Sequence, residues 1–360
     1  MNGERAALRP LGFGIVGCGL IAPFHVAAIQ ALPGCQVVAL HSRRRSSAEK
    51  LAATLTPPPP VFTDLDAFLR VPDLDVVCVC TPSGNHLEVG EAAAAAGKHL
   101  VVEKPLEITL QRCDQLIAAC ARAGVHLTTV FPSRFADANL ALKQALSAGR
   151  FGRLTLAETA CKWWRSQAYY DEGGWKGTLA LDGGGALMNQ AIHNVDLLLW
   201  LMGPVRSVAG FTACLAHERI EVEDTAVACL HFENGALGVI QAATSIHPGL
   251  PKTVAIHGSA GSVVIEQEDV LTWEFATPTA EDEAVRQRFA RAVKASGGAS
   301  NPASISSEYH RRQLEQFVAA VREGGPTPIA GAEGRRAVEL VLAIYQSAAE
   351  GRIIHLGRQA

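Results

Sequence analysis

The chain has 360 residues and a formal net charge of −3; 48% of its residues are hydrophobic and 19% are charged. This length predicts two or three domains. The composition supplies large hydrophobic cores and excludes a mostly disordered chain. The small negative charge gives no electrostatic basis for binding nucleic acid or an anionic membrane, so neither is expected as a partner.

The cysteines and the first residues indicate a compartment. The first ten residues lack the apolar core of a signal peptide, and no apolar run approaches the ~18 residues of a membrane span. The nine cysteines form no Cys-x-x-Cys pair with zinc spacing. Two of them, Cys78 and Cys80, lie in a strand-like apolar run and are interpreted as small buried hydrophobes. We expect a reduced, cytoplasmic protein without a structural metal.

A glycine-rich turn near the start of the chain has the pattern of a dinucleotide site. The apolar run 13–16 leads into Gly17-x-Gly19-x-x-Ala22, and a helical pattern continues to about Leu32. Strand-like and helix-like runs then alternate, at 36–41, 46–54, 75–80, 86–96, 99–103, 110–123 and 125–130. This alternation predicts a doubly wound parallel sheet, in which the turn between strand and helix binds the cofactor.

Each residue type in the turn has a physical reason. Gly17 permits a tight bend, Gly19 lets the backbone approach a pyrophosphate, and Ala22 is small enough for the helix to pack on the strand. Leu20 and Ile21 lie at the start of the helix, where free N–H groups and the helix dipole attract an anion. A glycine turn that serves only packing is the alternative, and the strand–helix context argues against it.

The end of the second strand bears on the choice of cofactor. An NAD-binding Rossmann domain usually has an Asp or Glu there, but no acidic residue occurs in residues 23–48. Instead the strand ends in His41 and continues with Ser42-Arg43-Arg44-Arg45. Ser42 and Arg43, with Arg44 as a further candidate, can hydrogen-bond a 2′-phosphate that a carboxylate would repel. We expect NADP(H) to be preferred over NAD(H); the alternative is a solvated basic loop.

Two further loops follow strands of the predicted sheet. Ligands of doubly wound sheets lie beyond the carboxyl ends of the strands, so Thr81 and Pro82 are expected to border the cofactor. His86 is a candidate for the same site, although its position favours a residue that begins the next helix.

The next strand ends in Glu103-Lys104-Pro105, where the nicotinamide is expected. Lys104 can serve as a fixed cation beside a reacting oxygen. Taken alone, it is better explained as a surface lysine beside a turn proline.

A second glycine-rich stretch, 182–203, precedes a long apolar helix that Gly203-Pro204 should end. Asn189, His193 and Asp196 are spaced i, i+4 and i+7, so they share one stripe of that helix. Polar groups on a buried helix must find partners or face a cavity. His193 is therefore either a core histidine satisfied by its neighbours or a histidine of a functional site.

An aromatic and basic segment precedes this stretch. Trp163, Arg165, Tyr169 and Trp175 fall within thirteen residues. Aromatic faces stack on sugar C–H groups, and arginine binds a carboxylate or phosphate through its planar fork. We expect substrate walls here, with a packing or subunit-contact cluster as the alternative.

The rest of the chain has a β-rich pattern. Strand-like runs occur at 155–160, 205–215, 224–232, 236–245, 252–257, 262–267 and 270–275, and Asn234-Gly235 is a hairpin signal. Residues 277–303 are expected to form one helix and a mobile loop, followed by helices at 306–322 and 332–350 and a strand at 353–356. An antiparallel sheet results, with one broad face that has no helices to cover it.

Together these motifs, in this order, resemble the Gfo/Idh/MocA family (glucose–fructose oxidoreductase and inositol dehydrogenase) over essentially the full length. The resemblance implies an α/β fold, with a Rossmann domain at residues 1–132 and, at residues 133–360, a domain with a large open-faced, mostly antiparallel sheet. It implies NAD(P)-dependent hydride transfer at a carbinol or carbonyl carbon of a sugar, a sugar derivative or a cyclitol, with Lys104-Pro105 as a cis peptide bond. It also implies a homodimer or homotetramer that forms through the open sheet face, and the aromatic segment is similar to that of members acting on nucleotide-linked or acidic sugars.

The resemblance assigns roles residue by residue. Lys104 matches the family's lysine that polarises the reacting oxygen, and His193 matches its general acid/base. Asn189 stands where many members have an aspartate; an amide can orient a hydroxyl but cannot take up a proton. Any proton relay would then depend on His193 and Lys104.

Two rival functions share this scaffold. A non-catalytic NAD(P)-binding sensor has the same fold, because fold does not fix function. A reductase of a non-sugar carbonyl, such as a biliverdin-like or aromatic diol substrate, is compatible with the aromatic segment. Lys104 and His193 favour the enzyme over the sensor.

Overall fold

A computed structural model describes residues 9–290 and 307–357. The chain forms two compact units, each assembled from separate stretches. The described parts of the first unit are residues 9–107, 111–130 and 307–332, and those of the second are 108–110, 131–290 and 333–357.

The secondary structure follows the predicted order. The strands are β1 Leu11–Val16, β2 Cys35–His41, β3 Val61–Phe62, β4 Leu74–Val79, β5 His99–Val102, β6 Leu127–Thr129, β7 Leu154–Lys162, β8 Val205–Ala213, β9 Thr225–Phe232, β10 Leu237–Ala243, β11 Thr253–Gly258, β12 Gly261–Glu266, β13 Asp269–Phe275 and β14 Ile354–His355. The α-helices are α1 Ala22–Gln30, α2 Arg45–Ala52, α3 Leu65–Leu69, α4 His86–Ala95, α5 Leu110–Ala123, α6 Asp137–Ser147, α7 Gln167–Asp171, α8 Ile192–Met202, α9 Ala280–Arg288, α10 Glu308–Glu323 and α11 Gly331–Glu350.

The first unit contains the predicted doubly wound sheet. Its six strands lie in the order β3-β2-β1-β4-β5-β6, and every pairing is parallel. The central strands are buried along nearly their whole length, as expected where helices cover both faces. The carboxyl ends of β2, β1, β4 and β5 therefore form one edge of the sheet.

Helix α10 belongs to this first unit, although it follows strands β7–β13 of the second unit along the chain. Its buried residues recur at helical spacing and form one apolar stripe. Leu314 and Phe317 of this stripe share a core with Val26 and Ile29 of α1. The division of the chain thus differs from the predicted boundary at residue 132, because a helix from the carboxyl-terminal part completes the core of the first unit.

The second unit is built on an eight-stranded sheet in the order β13-β12-β11-β7-β10-β9-β8-β14. Only β7 and β10 pair in parallel, so the mostly antiparallel prediction is confirmed. The Asn234-Gly235 turn joins β9 to β10, with Gly235 at a φ of 88°. Buried and exposed positions alternate along β9, which leaves one face of the sheet open.

The stretch predicted as one helix and a mobile loop, 277–303, lies partly outside the described residues. Its helix is present as α9, which begins with a capping box formed by Thr279 and Asp282. None of the helices in the described ranges has the length and hydropathy of a membrane span.

Candidate active site

The glycine turn between β1 and α1 has the geometry of a dinucleotide cradle. Gly17 has a φ of 97°, and a Cβ at this position would lie 2.5 Å from the carbonyl oxygen of Cys80. A Cβ at Gly19 would meet no atom within 4 Å, so the backbone there borders open space. The first glycine is required by backbone conformation and close packing, and the second leaves room for a phosphate at the start of α1. The turn therefore fits the dinucleotide that the sequence predicts.

The other predicted cofactor residues lie along the same edge of the sheet. Ser42 and Arg43 follow β2, Thr81 and Pro82 follow β4, and Lys104 lies two residues beyond β5. Ligands of doubly wound sheets bind at this edge. The structure thus brings together, from four adjacent strands, the loops that the sequence places at the cofactor.

The basic loop after β2 contains two arginines that remain available. Arg43 and Arg44 are exposed and make no ion pair with the residues that the structure describes. Arg45 differs, because its Nε donates to Glu49 over 2.9 Å within α2. Arg43 and Arg44 are thus the candidates for binding an anion, and Arg45 is a neighbouring arginine with a partner of its own.

Glu103 forms a buried ion pair that sequence reasoning missed. Nε2 of His25 lies 2.7 Å from Oε1 of Glu103, and both residues are more than nine-tenths buried. Burial opposes charge on both groups, but the His25 contact and the charges of His25, His310 and Lys104 lower the Glu103 pKa to about 2. Contacts with Cys80, Cys78 and Glu103 outweigh burial and raise the pKa of His25.

His310 lies beside this pair. Among the described residues, His25, Glu103 and His310 are the one group whose possible metal-ligand atoms all lie within 4.8 Å of one another. We interpret the group as the His25–Glu103 ion pair with the ring of His310 beside it. The short hydrogen bond between His25 and Glu103 already accounts for the distance between those two residues.

The pKa shifts of His25 and Glu103 predict a range of pH in which this pair stabilises the fold. Glu103 contributes above its unfolded pKa near 4.5, and that contribution is lost as the pH falls through about 2. His25 contributes below its unfolded pKa near 6.5, and that contribution is lost as the pH rises through its higher folded pKa. The His25→Gln variant should therefore lose most stability between pH 4.5 and 6.5, on the order of 3 kcal/mol.

Thermal unfolding of both proteins from pH 2 to 10 measures this window. The exposed His355 of β14 supplies a control, and His355→Gln should leave Tm almost unchanged at every pH. A Tm difference for His25→Gln that is constant across the range would show that the pair is not charged in the folded protein.

In the second unit, the glycine-rich stretch does not begin as an α-helix. Residues Ala186–Ala191 form a π-helical turn, and α8 begins only at Ile192. The carboxylate of Glu223 accepts hydrogen bonds from the backbone N–H groups of Gly185 and Leu187, over 2.9 and 2.7 Å. The hydroxyl of Tyr345 donates to the same carboxylate over 3.0 Å. Glu223 thus fixes the start of the turn that carries Asn189, and π-helical turns of this kind are frequent at functional sites.

Asn189 has a carboxylate partner that the sequence analysis did not identify. Its Nδ2 donates to Oδ1 of Asp182 over 2.7 Å, and Asp182 is 1% exposed. The other oxygen, Oδ2, accepts from the backbone N–H of Gly177 over 2.9 Å. The carboxyl group of Asp182 thus lies directly behind the amide of Asn189. The only sequence signal was an acidic residue just before the glycine run.

His193 and Asp196 do not share a role. His193 is half-buried at the start of α8, and its ring meets the edge of Phe131 at a centroid distance of 5.9 Å. Asp196 is buried and accepts two hydrogen bonds from Arg134, over 2.8 and 2.7 Å. Arg134 also donates to Glu333 over 2.7 Å. Asp196, one of the three residues of the predicted polar stripe, thus forms a buried ion pair with Arg134.

The aromatic segment surrounds a buried cation. The Arg165 guanidinium carbon lies 5.1 Å from the ring centroid of Trp163 and 5.6 Å from that of Tyr169. Its Nη2 donates to Oε1 of Gln190 over 3.0 Å, which connects it to the π-helical turn. Burial lowers the pKa of Arg165, although arginine remains charged. Trp175, which lies seven residues before Asp182 in the chain, is half-buried.

Two long stretches of the chain match the models of a known family. Residues 11–131 match the model of an oxidoreductase family with an NAD-binding Rossmann fold, and residues 139–264 match that of the GFO/IDH/MocA C-terminal domain. The chain belongs to the Gfo/Idh/MocA family. Its predicted fold class and membership in this family are thereby confirmed.

Solved and curated Gfo/Idh/MocA proteins resemble the chain over nearly its full length. The WlbA dehydrogenase from Bordetella pertussis, solved with NADH and UDP-GlcNAcA, is 32% identical, with a TM-score of 0.86 over 98% of this chain and 100% of that one. The WlbA dehydrogenase from Chromobacterium violaceum, solved with the same two molecules, is 31% identical, with a TM-score of 0.88 over 99% and 98%. Inositol 2-dehydrogenase from Rhizobium meliloti is 24% identical over 349 residues, which are 96% of this chain and 98% of that protein. The prediction of an oxidoreductase that acts on CH–OH groups with a nicotinamide cofactor is confirmed, and the cofactor in the two related structures is NADH.

Proposed function

We propose that the protein oxidises or reduces a carbinol or carbonyl carbon of a nucleotide-linked sugar that carries a carboxylate. The full-length similarity to two dehydrogenases solved with UDP-GlcNAcA carries this proposal. The buried cation Arg165, set between two aromatic rings and bonded to Gln190, supplies a chemically matching group in the second unit.

The roles of the chain's own residues follow from their chemistry. The nicotinamide cofactor, when bound, takes up or gives a hydride. We propose that the imidazole of His193 moves the hydroxyl proton, since a histidine ring both accepts and donates protons near neutral pH. Lys104 stabilises the negative charge that develops on the reacting oxygen. Asn189, held by the Asp182 carboxylate, orients the hydroxyl.

The proposed carboxylate contact predicts a substrate-dependent effect at Arg165. Arg165→Met should raise KM for UDP-GlcNAcA by about 10- to 100-fold, the cost of losing a charged hydrogen-bonded pair. The uncharged counterpart UDP-GlcNAc is the matched control, and its KM should change much less. Arg165→Lys should lie between, because it keeps the charge and loses the planar fork. An equal rise for both substrates would show that Arg165 acts through packing alone.

Trp163, Tyr169 and Trp175 complete the proposed substrate walls. Trp163 and Tyr169 flank Arg165, so a sugar ring that reaches the cation would lie against aromatic faces.

We also propose that NADP(H) is preferred over NAD(H), through Ser42 and Arg43. No acidic residue occurs between the end of β2 and Glu49 of α2. The exposed Arg43 has no ion-pair partner among the described residues. The structures of the WlbA relatives contain NADH, so the two cofactors must be compared directly.

Arg43→Ala should raise Kd for NADPH by about 10- to 30-fold, which corresponds to one charge-assisted hydrogen bond, and should leave Kd for NADH almost unchanged. Arg45→Ala is the matched control, because the neighbouring Arg45 is already paired with Glu49. Fluorescence titration with both cofactors measures this. A wild-type protein that binds NADH more tightly than NADPH would contradict the preference.

We further propose that the protein is a homodimer or homotetramer that buries the open sheet face. Phe211 pairs with Val227 across β8 and β9, and Leu237 pairs with Leu156 across β10 and β7. These four side chains are 39–75% exposed. Exposed apolar side chains gathered on one sheet face are typical of interaction sites. Sedimentation velocity measures the assembly, and a monomer at micromolar concentration would contradict it.

The whole proposal is tested by turnover. The protein is incubated with NAD+ or NADP+ and a panel that contains UDP-GlcNAcA, UDP-GlcNAc and myo-inositol, and the reduced cofactor is followed at 340 nm. We expect turnover with UDP-GlcNAcA to exceed that with the uncharged members. Tight cofactor binding without turnover on any member would favour the sensor.

A further inference from the structure

A second buried histidine lies next to the lysine of the proposed site. His86 is the first residue of α4 and is 1% exposed. A polar ring at this depth requires partners for its nitrogens, because burial without them is costly.

Both ring nitrogens of His86 face backbone carbonyl oxygens. Nδ1 lies 2.9 Å from the oxygen of Pro105 and 3.3 Å from that of Leu106, while Nε2 lies 3.1 Å from the oxygen of Thr81. Carbonyl oxygens only accept, so a ring nitrogen bonds one of them only by donating an N–H, and a neutral imidazole has a single N–H. We assign that N–H to Nδ1, which makes the shortest contact, 2.9 Å to the oxygen of Pro105. The rigid imidazole thus spans from the loop after β4 to the loop after β5.

The second of these loops carries Lys104. Pro105 is the next residue, so the bond to its carbonyl fixes the backbone just after the lysine. The backbone N–H of Lys104 donates to Oε2 of Glu103 over 3.2 Å, and His25 holds the other oxygen of that carboxylate. The lysine backbone is therefore fixed on both sides, by Glu103 before it and by His86 after it.

Further contacts fix the end of the same segment. Glu107 is fully buried, and its Oε1 accepts from the backbone N–H of Leu87 over 3.2 Å and from Arg112 over 2.8 Å. Helix α4 thus anchors the loop twice, through the His86 ring and through the next backbone amide. Of these two contacts, the one made by the His86 ring reaches Pro105, the residue beside Lys104.

We propose that His86 is a positioning residue for Lys104. The inference rests on the proposed catalytic role of Lys104. A displacement of about 1 Å in a reacting group costs on the order of 10²-fold in rate, so the bridge matters for turnover even though His86 touches no reacting atom. The contact requires an N–H donor on a short, rigid side chain that also fills the space between the two loops, and histidine meets that requirement.

The experiment compares three substitutions at His86 with one control. His86→Leu removes the ring donor at similar volume, His86→Asn keeps an N–H donor but lacks the volume of the ring, and His86→Gln keeps an N–H donor and most of that volume. His99→Gln is the control, because His99 is a half-buried histidine at the opposite end of β5. For each protein we measure kcat, KM, the Kd of the cofactor and the competitive acetylation rate of Lys104 relative to the exposed Lys50 of α2.

We expect His86→Leu to lower kcat by about 10²-fold, while KM and the cofactor Kd stay within about threefold. The acetylation rate of Lys104 relative to Lys50 should change with it. His86→Gln should recover kcat to within about tenfold of wild type, and His99→Gln should match wild type throughout. If His86→Leu does not fold, His86→Asn decides, with an expected loss of about tenfold and an altered Lys104 rate.

The Lys104→Met variant separates this inference from the proposed function. If Lys104→Met retains wild-type kcat, the catalytic role of Lys104 is wrong, and the acetylation rate alone then tests the bridge. If Lys104→Met is inactive but the folded His86 variants keep both wild-type kcat and wild-type Lys104 acetylation, the positioning role is overturned while the proposed function stands.

Discussion

We expect His193→Ala to lower kcat by about 10²-fold or more, because it removes the imidazole that we propose moves the hydroxyl proton. The Kd of the cofactor stays within about twofold, since the turn that binds it belongs to the first unit. Steady-state turnover with the best sugar of the panel gives kcat, and fluorescence titration gives Kd. The pH profile of kcat should also lose the limb that reports the imidazole.

The control for His193 is another half-buried histidine of the second unit. His257 lies on β11, and its Nδ1 is 3.0 Å from the hydroxyl of Ser262. His257→Gln should leave kcat and its pH profile unchanged. A His193→Ala protein that turns over at nearly the wild-type rate would remove the general acid/base from this histidine.

Arg134→Met lowers the free energy of unfolding by about 3–5 kcal/mol, because it leaves the buried carboxylate of Asp196 without its bidentate partner. At roughly 2–4 °C per kcal/mol for a unit of this size, Tm falls by about 10 °C. Burial raises the pKa of Asp196 to about 6 even in the presence of Arg134. Without the arginine the pKa of Asp196 rises further, so the deficit should be smaller at pH 5, where the carboxyl group is already largely protonated in both proteins, than at pH 8.

Two further variants separate the loss of a partner from the loss of contacts. Arg134→Met combined with Asp196→Leu should recover most of the stability, since apolar replacement of a whole buried pair is often neutral. Arg206→Met breaks an exposed pair with Glu233, at 3.4 Å, and should cost less than about 1 kcal/mol. A double variant as unstable as Arg134→Met alone would show that packing, rather than the uncompensated charge, sets the loss.

The parts of the fold that were predicted from sequence are those with local causes. The Gly17 turn, the apolar strands and the alternation of strands with helices are each written in a short window, and parallel order then places Ser42, Thr81 and Lys104 at one edge. The open antiparallel sheet follows in the same way from period-two patterns and from the Asn234-Gly235 turn.

The parts that sequence reasoning missed depend on partners far along the chain. The π-helical turn before α8 is held by Glu223, which is 38 residues from Gly185 and 36 from Leu187. Arg134 reaches Asp196 across 62 residues. A helical period within one window carries no information about such partners, so a single stripe of Asn189, His193 and Asp196 was expected where the structure separates Asp196 from the others.

The place of α10 in the first unit has a consequence for biosynthesis. A ribosome delivers the β1–β6 sheet early, but Leu314 and Phe317 leave the exit tunnel only after strands β7–β13 of the second unit have been made. Until then the face of α1 that carries Val26 and Ile29 lacks its cover. A fragment that ends near residue 132 would show the same uncovered face permanently, and each apolar side chain left in water forgoes about 1.5–3 kcal/mol. The nascent nucleotide-binding unit is thus completed only after most of the second unit has been made, although most of it is synthesised first.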